Sequence, residues 1–245
     1  MSSQPRATVH LTHIVANWRT LAALHPKANT SAVVKANAYG LGADRVSAAL
    51  ASAGCDTFFV AYPEEGAVVR KAVGPAPSIF VLNGPALASM HLFHTHSLIA
   101  VLNSPAQTRL WSDAGSLPCA LHFDTGINRL GLPASMLETE GEALRALNPV
   151  LIMSHLACAD EPDHALNAVQ LAAFCKITEA FPGVPASLAN SAGCYLGRDY
   201  GFQVSRPGIA LYGGSIPPAR IQLQHAVTLD AEILSVFPVK AVSYT

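Results

Sequence analysis

Ser31-Ala-Val-Val-Lys35-Ala-Asn-Ala-Tyr39-Gly-Leu-Gly42 is the stretch on which the reading of the chain turns. Ala32, Val33 and Val34 are apolar and β-prone, the pattern of a strand buried on both faces in a parallel sheet. Lys35 follows that strand. Taken alone it reads first as a lysine whose stem is covered and whose ammonium reaches solvent. The same placement also suits an amine that forms an imine with an aldehyde. Tyr39 lies in the turn beyond, where Gly40 and Gly42 permit positive φ and a close approach of the backbone to a ligand.

Outward from this segment the same unit repeats. Apolar strands are expected at Thr57–Ala61, Ser78–Leu82, Leu98–Leu102, Ala120–Phe123, Val150–Met153, Ala186–Leu188 and Phe202–Ser205, with helices between them. Asp44 is the expected N-cap of one helix and Gly54 its stop; Pro63-Glu-Glu opens a second that Gly74 closes. Ser104-Pro105 opens a third, and a long helix runs from about Asp163 to Phe181. Leu11, Ile14, Trp18 and Leu21 predict a helix ended by Pro26. Eight short strands alternating with helices over this length predict an α/β fold, a (β/α)8 TIM barrel, over residues 10–224. From His225 the texture changes: Val227, Leu229, Ala231 and Ile233 alternate with polar residues, as in a strand with one wet face. Residues 225–245 are expected to begin a β domain that stays incomplete at Thr245, and to pair with residues 4–9.

The composition bounds the partners. Charged residues are 13% and the net charge is −1, which excludes a nucleic-acid footprint and points to a small molecule. Cys55, Cys119, Cys158, Cys175 and Cys194 are scattered and contain no CxxC, as expected of reduced thiols in the cytoplasm. No signal-peptide core or membrane-spanning run is present, so a soluble, unexported protein is expected. His91, His94 and His96 precede a strand at the end away from a barrel site and read as a solvated loop rather than a metal centre.

VVKANAYGLGA resembles the cofactor-lysine segment of the alanine racemases, which carry pyridoxal 5′-phosphate (PLP) on a (β/α)8 barrel. DTGINRLG (124–131) resembles that family's DTGMxRLG, SHLACAD (154–160) its HFAxAD, and RPGIALYGG (206–214) a further match. The resemblance implies that Lys35 carries the cofactor and acts as acid/base on one face of the substrate, and that His155 packs on the pyridine ring. It further implies that Arg206 donates to the pyridine nitrogen and that Arg129 touches the substrate. Tyr39 and Ser191 would hold the phosphate, with Asn190 as a further donor and Gly208 and Ile209 opening a phosphate site of the usual barrel kind. His122 departs from the family, several members of which have lysine there. Asp124-Thr-Gly126 also matches the aspartic-protease tripeptide, but that chemistry needs paired carboxylates in a β-rich fold.

The expected activity is interconversion of L- and D-alanine, for D-alanine biosynthesis, with no metal and with a homodimer in the full-length family. The alternative is a PLP-binding barrel acting as carrier or homeostasis protein. The family's second catalytic residue, a tyrosine, lies in the β domain, and Tyr244 has no warrant for that role.

Overall fold

The computed structural model describes residues 4–115, 117–214 and 221–238. Its strands are β1 (Arg6–Val9), β2 (Asn29–Thr30), β3 (Ala32–Val33), β4 (Thr57–Val60), β5 (Ser78–Val81), β6 (Ile99–Leu102), β7 (Cys119–His122), β8 (Leu151–Met153), β9 (Ala186–Ser187), β10 (Val204–Ser205) and β11 (Val227–Asp230). Between them lie α1 (Leu11–Leu24), α2 (Ala43–Ser52), α3 (Pro63–Val73), α4 (Met90–Thr95), α5 (Pro105–Asp113), α6 (Met136–Ala146) and α7 (Ala165–Glu179). β3 to β9 form one parallel sheet in sequence order, and β10 pairs in parallel with β2. β2 and β3 are one run of chain broken only at Ser31, whose N–H donates to Ser205 O at 3.0 Å. On the other side of β10, Gln203 N donates to Ala186 O at 3.1 Å and Arg206 N to Ala189 O at 2.9 Å. The sheet is therefore closed, and the eight-stranded barrel expected from the alternation is the fold.

The period-two geometry of a strand sorts the core into two layers. Val33, Phe59, Phe80, Val101, Ala120, Leu151 and Met153 fill the interior of the barrel. Their neighbours Val34, Phe58, Val60, Ile79, Val81, Ala100, Leu102, Leu121 and Ile152 face the helices instead. Strands buried on both faces must read as continuous apolar runs, which is why the sequence shows them without alternation. The helix ends follow local chemistry. α3 begins at Pro63, which needs no N–H donor there, and stops at Gly74, which has φ +77°. Ser104 Oγ accepts from Gln107 N at 3.3 Å at the start of α5.

Some local expectations are corrected. The N-cap of α2 is Gly42, and Asp44 sits inside the first turn. α7 starts at Ala165 with His164 as its cap, because His164 Nδ1 accepts from Leu166 N at 3.2 Å. His91 and His94 lie on α4, with His96 as its C-cap, rather than in a loop; Phe93 from the same helix is buried against Trp111 and gives the segment its fold. β11 ends at Asp230, short of Ile233. It pairs antiparallel with β1, Val9 opposite Val227 and Arg6 opposite Asp230. Asn17 of α1 secures the approach to β11, donating to Leu211 O and Gln224 O and accepting from Gln224 N. Tyr244 lies outside the described residues. Among the described residues no helix is long and apolar enough to cross a membrane.

The Phe59 and Phe80 rings stack inside the barrel with centroids 4.7 Å apart. Phe59→Ala should leave a cavity there and cost about 3–5 kcal/mol in urea denaturation. A loss below about 1 kcal/mol would mean that the interior collapses onto the space.

Candidate active site at the barrel mouth

The C-terminal ends of the strands converge on a cavity of about 620 Å³. Lys35, Tyr39, Arg129, His155, Asn190, Ser191, Arg206, Gly208 and Ile209, the residues singled out in the sequence, all line it. Each is delivered by a particular local structure.

After Lys35 the backbone turns left-handed. Ala36, Asn37, Ala38 and Tyr39 have φ of 51°, 55°, 53° and 55°, and Gly40 follows at 90°. Four consecutive non-glycine residues in this region cost on the order of 4–8 kcal/mol, so the surroundings must over-determine them. Ala38 N donates to Val34 O at 2.9 Å and Gly40 N to Ala36 O at 2.9 Å, closing the turn. Asn37 Oδ1 accepts from Ala43 N at 2.9 Å, and Glu65 Oε1 accepts from Ala36 N at 2.6 Å. The turn brings the Tyr39 ring against Tyr212, whose hydroxyl donates to Val33 O at 3.0 Å. Burial raises the pKa of both phenols. The Tyr39 hydroxyl reaches so close to Gly208 that a Cβ at position 208 would collide with it, which explains a glycine whose φ is ordinary. Ser191 Oγ accepts from Gly208 N at 2.8 Å and Ala210 N at 3.3 Å, leaving its own hydrogen to give.

Arg206 lies under the cavity, 4% exposed. Its guanidinium donates to Ser187 Oγ and, at 2.5 Å, to Ser154 O. Burial lowers it to about 10, still charged at neutral pH. Its field reaches both histidines of the cavity. His155 is pushed well below the usual range by burial, then by Arg206 and Arg129. His122 falls to about 3 for the same leading reasons. Asn103 Nδ2 donates to Leu82 O and Val101 O, both at 2.9 Å, so its Oδ1 faces His122 and the Nδ1–H of the ring donates to it at 2.7 Å. His122 Nε2 is left as a buried acceptor without a protein partner.

Arg129 stands on an exposed loop organised by Asp124, whose Oδ1 accepts from Gly126 N, Ile127 N and Asn128 N at 2.9–3.2 Å. That carboxylate is occupied with backbone, which removes the protease reading. Asn190 is also engaged locally, accepting from Gly193 N at 2.8 Å and donating to Leu156 O at 3.4 Å. Lys35, Arg129 and Arg206 set three cations against the one carboxylate in the lining, Asp160. Such a cavity suits an anion.

The chain matches the sequence model of the alanine racemase N-terminal domain over residues 9–216. It is 45% identical over 244 residues to the alanine racemase of Rhizobium meliloti (strain 1021), covering 96% of this chain and 64% of that protein. The match to the enzyme of Rhodospirillum rubrum is 44% over 239 residues, 94% of this chain and 64% of the relative. Among solved structures, alanine racemase from Bartonella henselae with covalently bound pyridoxal phosphate superposes with a TM-score of 0.88 at 35% identity, covering 94% of this chain and 70% of that one. The chain belongs to the alanine racemase N-terminal domain family. It spans less than two thirds of the length of those two curated relatives.

Measured against family motifs, the residues that the sequence reading missed are those that hold the motif residues in place. Glu65 and Asn103 carry no motif of their own, and Tyr212 lies within RPGIALYGG without being singled out there. Glu65 had one signal, its place three residues after Tyr62 in a capping pattern. Asn103 had none.

Two tests follow from the geometry. Ala36 is exposed and left-handed, so Ala36→Gly should be neutral or stabilising, whereas Ala48→Gly within α2 should cost about 1 kcal/mol; equal losses would contradict the turn. His122 is near 3 in the fold against 6.5 unfolded, so the unfolded chain binds the extra proton between those values. Stability is full above pH 6.5 and falls as the pH drops toward 3, by about 1.4 kcal/mol per unit. Between pH 7 and 5, wild type should therefore lose about 2 kcal/mol more than His122→Gln in urea titrations.

Proposed function

We propose that this barrel is the cofactor-binding part of a pyridoxal-phosphate-dependent alanine racemase interconverting L- and D-alanine. The observation that carries the reading is the convergence of Lys35, the Tyr39–Ser191–Gly208 cradle and the buried Arg206 on one cationic cavity. The donor set fits the cofactor. Tyr39 and Ser191 hydroxyls beside a glycine whose Cβ would meet the Tyr39 hydroxyl suit a phosphate, and a buried guanidinium suits a ring nitrogen. His155, held neutral, presents a flat ring, and Lys35 offers the amine.

When bound, pyridoxal phosphate supplies an aldehyde that condenses with an amine, releasing water, and a ring that accepts the electron pair left when an α-proton departs. The protein groups do the rest. Arg206 stays charged and donates, keeping the ring nitrogen unprotonated and the ring a modest electron sink. Arg129, exposed on its loop and cationic, meets the substrate carboxylate. Lys35 Nζ takes or returns the α-proton on one face. The acid for the opposite face, the homodimer partner surface and a cytoplasmic setting belong to the same proposal. It is supported by Tyr39, Leu130 and Ile209, which stand 39%, 41% and 51% exposed at the cavity mouth as if awaiting cover, and by five cysteines that are all free. Residues 225–245, of which β11 pairs with β1, are assigned to a second, β-rich unit.

The test is incubation with pyridoxal phosphate, borohydride reduction and peptide mapping. The pyridoxyl group should sit on Lys35, and Lys35→Ala should lose it. Label on Lys27, Lys71 or Lys176 instead would overturn the assignment.

A further inference from the structure

We propose that Glu65 is the positioning residue for Lys35, a carboxylate that sets the direction of the lysine through the peptide that follows it. The inference rests on the assignment of Lys35 as the cofactor amine. Glu65 stands in the first turn of α3, and its two oxygens do different things. Oε2 accepts from Ala61 N at 2.7 Å and Tyr62 N at 3.2 Å, the ordinary work of a helix cap. Oε1 accepts from Ala36 N at 2.6 Å, twenty-nine residues away on a different strand end. No helix cap needs that second contact.

Ala36 N belongs to the peptide plane between Lys35 and Ala36, so holding its N–H fixes ψ of Lys35 and φ of Ala36 together. Ala36 is also where the backbone turns left-handed, at φ 51°. The other restraints on the turn act further along, at Asn37, Ala38 and Gly40. Glu65 is the group that grips the chain immediately after the lysine. Releasing it lets the Lys35–Ala36 peptide return to a right-handed conformation and swing the lysine stem. A carboxylate is required because all three partners are donors and both its oxygens only accept. An amide in its place must turn an NH2 toward at least one N–H.

A helix-capping role and a lysine-positioning role separate by ligand. Pyridoxal phosphate engages Lys35, whereas pyridoxamine phosphate fills the ring and phosphate sites without an aldehyde for the lysine. A hydrogen bond to a charged group is worth about 10- to 100-fold in an equilibrium. Glu65→Gln should therefore raise the apparent Kd for pyridoxal phosphate by about that factor, read by absorbance and by borohydride-trapped label on Lys35, while pyridoxamine phosphate binding changes less than about threefold. Glu65→Asp, which keeps the charge but shortens the reach, should fall between, and Glu64→Gln on the same turn should match wild type. Equal losses for both ligands would show a cap only and overturn the proposal. Wild type that takes up pyridoxamine phosphate but never labels Lys35 would instead overturn the lysine assignment, and the positioning role with it. In the unaltered chain, hydrogen exchange should find the amide of Ala36 protected although the residue is exposed. Exchange at the rate of a free amide would exclude the Glu65 bond.

Discussion

A closed parallel barrel depends on one seam, where the first strand meets the last. Here that seam is the run from Asn29 to Val33, which pairs on one side with β4 and on the other with β10. Ser31 sits at its centre, fully buried, with both its N–H and its hydroxyl given to Ser205 O. Trp18 of α1 donates to Thr30 O at 2.8 Å and braces the same point from outside. Because the strand is held along its whole length, Lys35 leaves it at a fixed height above the barrel interior. The mouth residues of β9 and β10 reach the cavity through the same ladder, since Val33 N donates to Pro207 O. Fold closure and site assembly are one set of hydrogen bonds.

The cavity draws its electrostatic character from Arg206. A buried guanidinium is tolerated only where donors are met, and Ser187 Oγ, Ser154 O and Leu188 O accept from three of its five N–H groups. Once charged and dry, it makes protonation of any base nearby unfavourable. His122 and His155 are both held neutral by burial, with Arg206 as the strongest charge acting on them. Two imidazoles that would otherwise titrate near neutrality are thereby removed from acid–base service.

The strand order and the barrel were legible because a strand buried on both faces has no choice but an unbroken apolar run. Val33, Phe59 and Phe80 show it plainly. The motif residues were legible through the family resemblance of the segments that carry them, since strand-end placement alone leaves a solvated lysine or a core histidine as good a reading. What the sequence hid was conformation and support. Ala36, Asn37 and Ala38 are not residues that advertise positive φ, so in the sequence the left-handed turn shows only as a property of Gly40 and Gly42. Helix starts moved by one or two positions because Gly42 and His164 cap without a strong side-chain signature. Asn103 supports His122 across nineteen residues, a contact that only the barrel register creates.

That turn raises a physical question, since glycine would adopt the same backbone at far lower cost. The side chains answer it. Ala38 is fully buried in the helix-facing core, Asn37 Oδ1 caps the entry to α2, and Tyr39 must put a phenol beside Gly208. Three of the four strained positions therefore do something that glycine cannot. Ala36 is the exception, exposed and bearing only a methyl group, and it is the position whose N–H a carboxylate holds. A side chain there narrows the conformations open to the peptide after Lys35, and the charge-assisted bond selects the rarer one among those that remain. Glycine would reach the same geometry without strain but would also leave it freely, so the strain and the carboxylate together define a direction that neither sets alone.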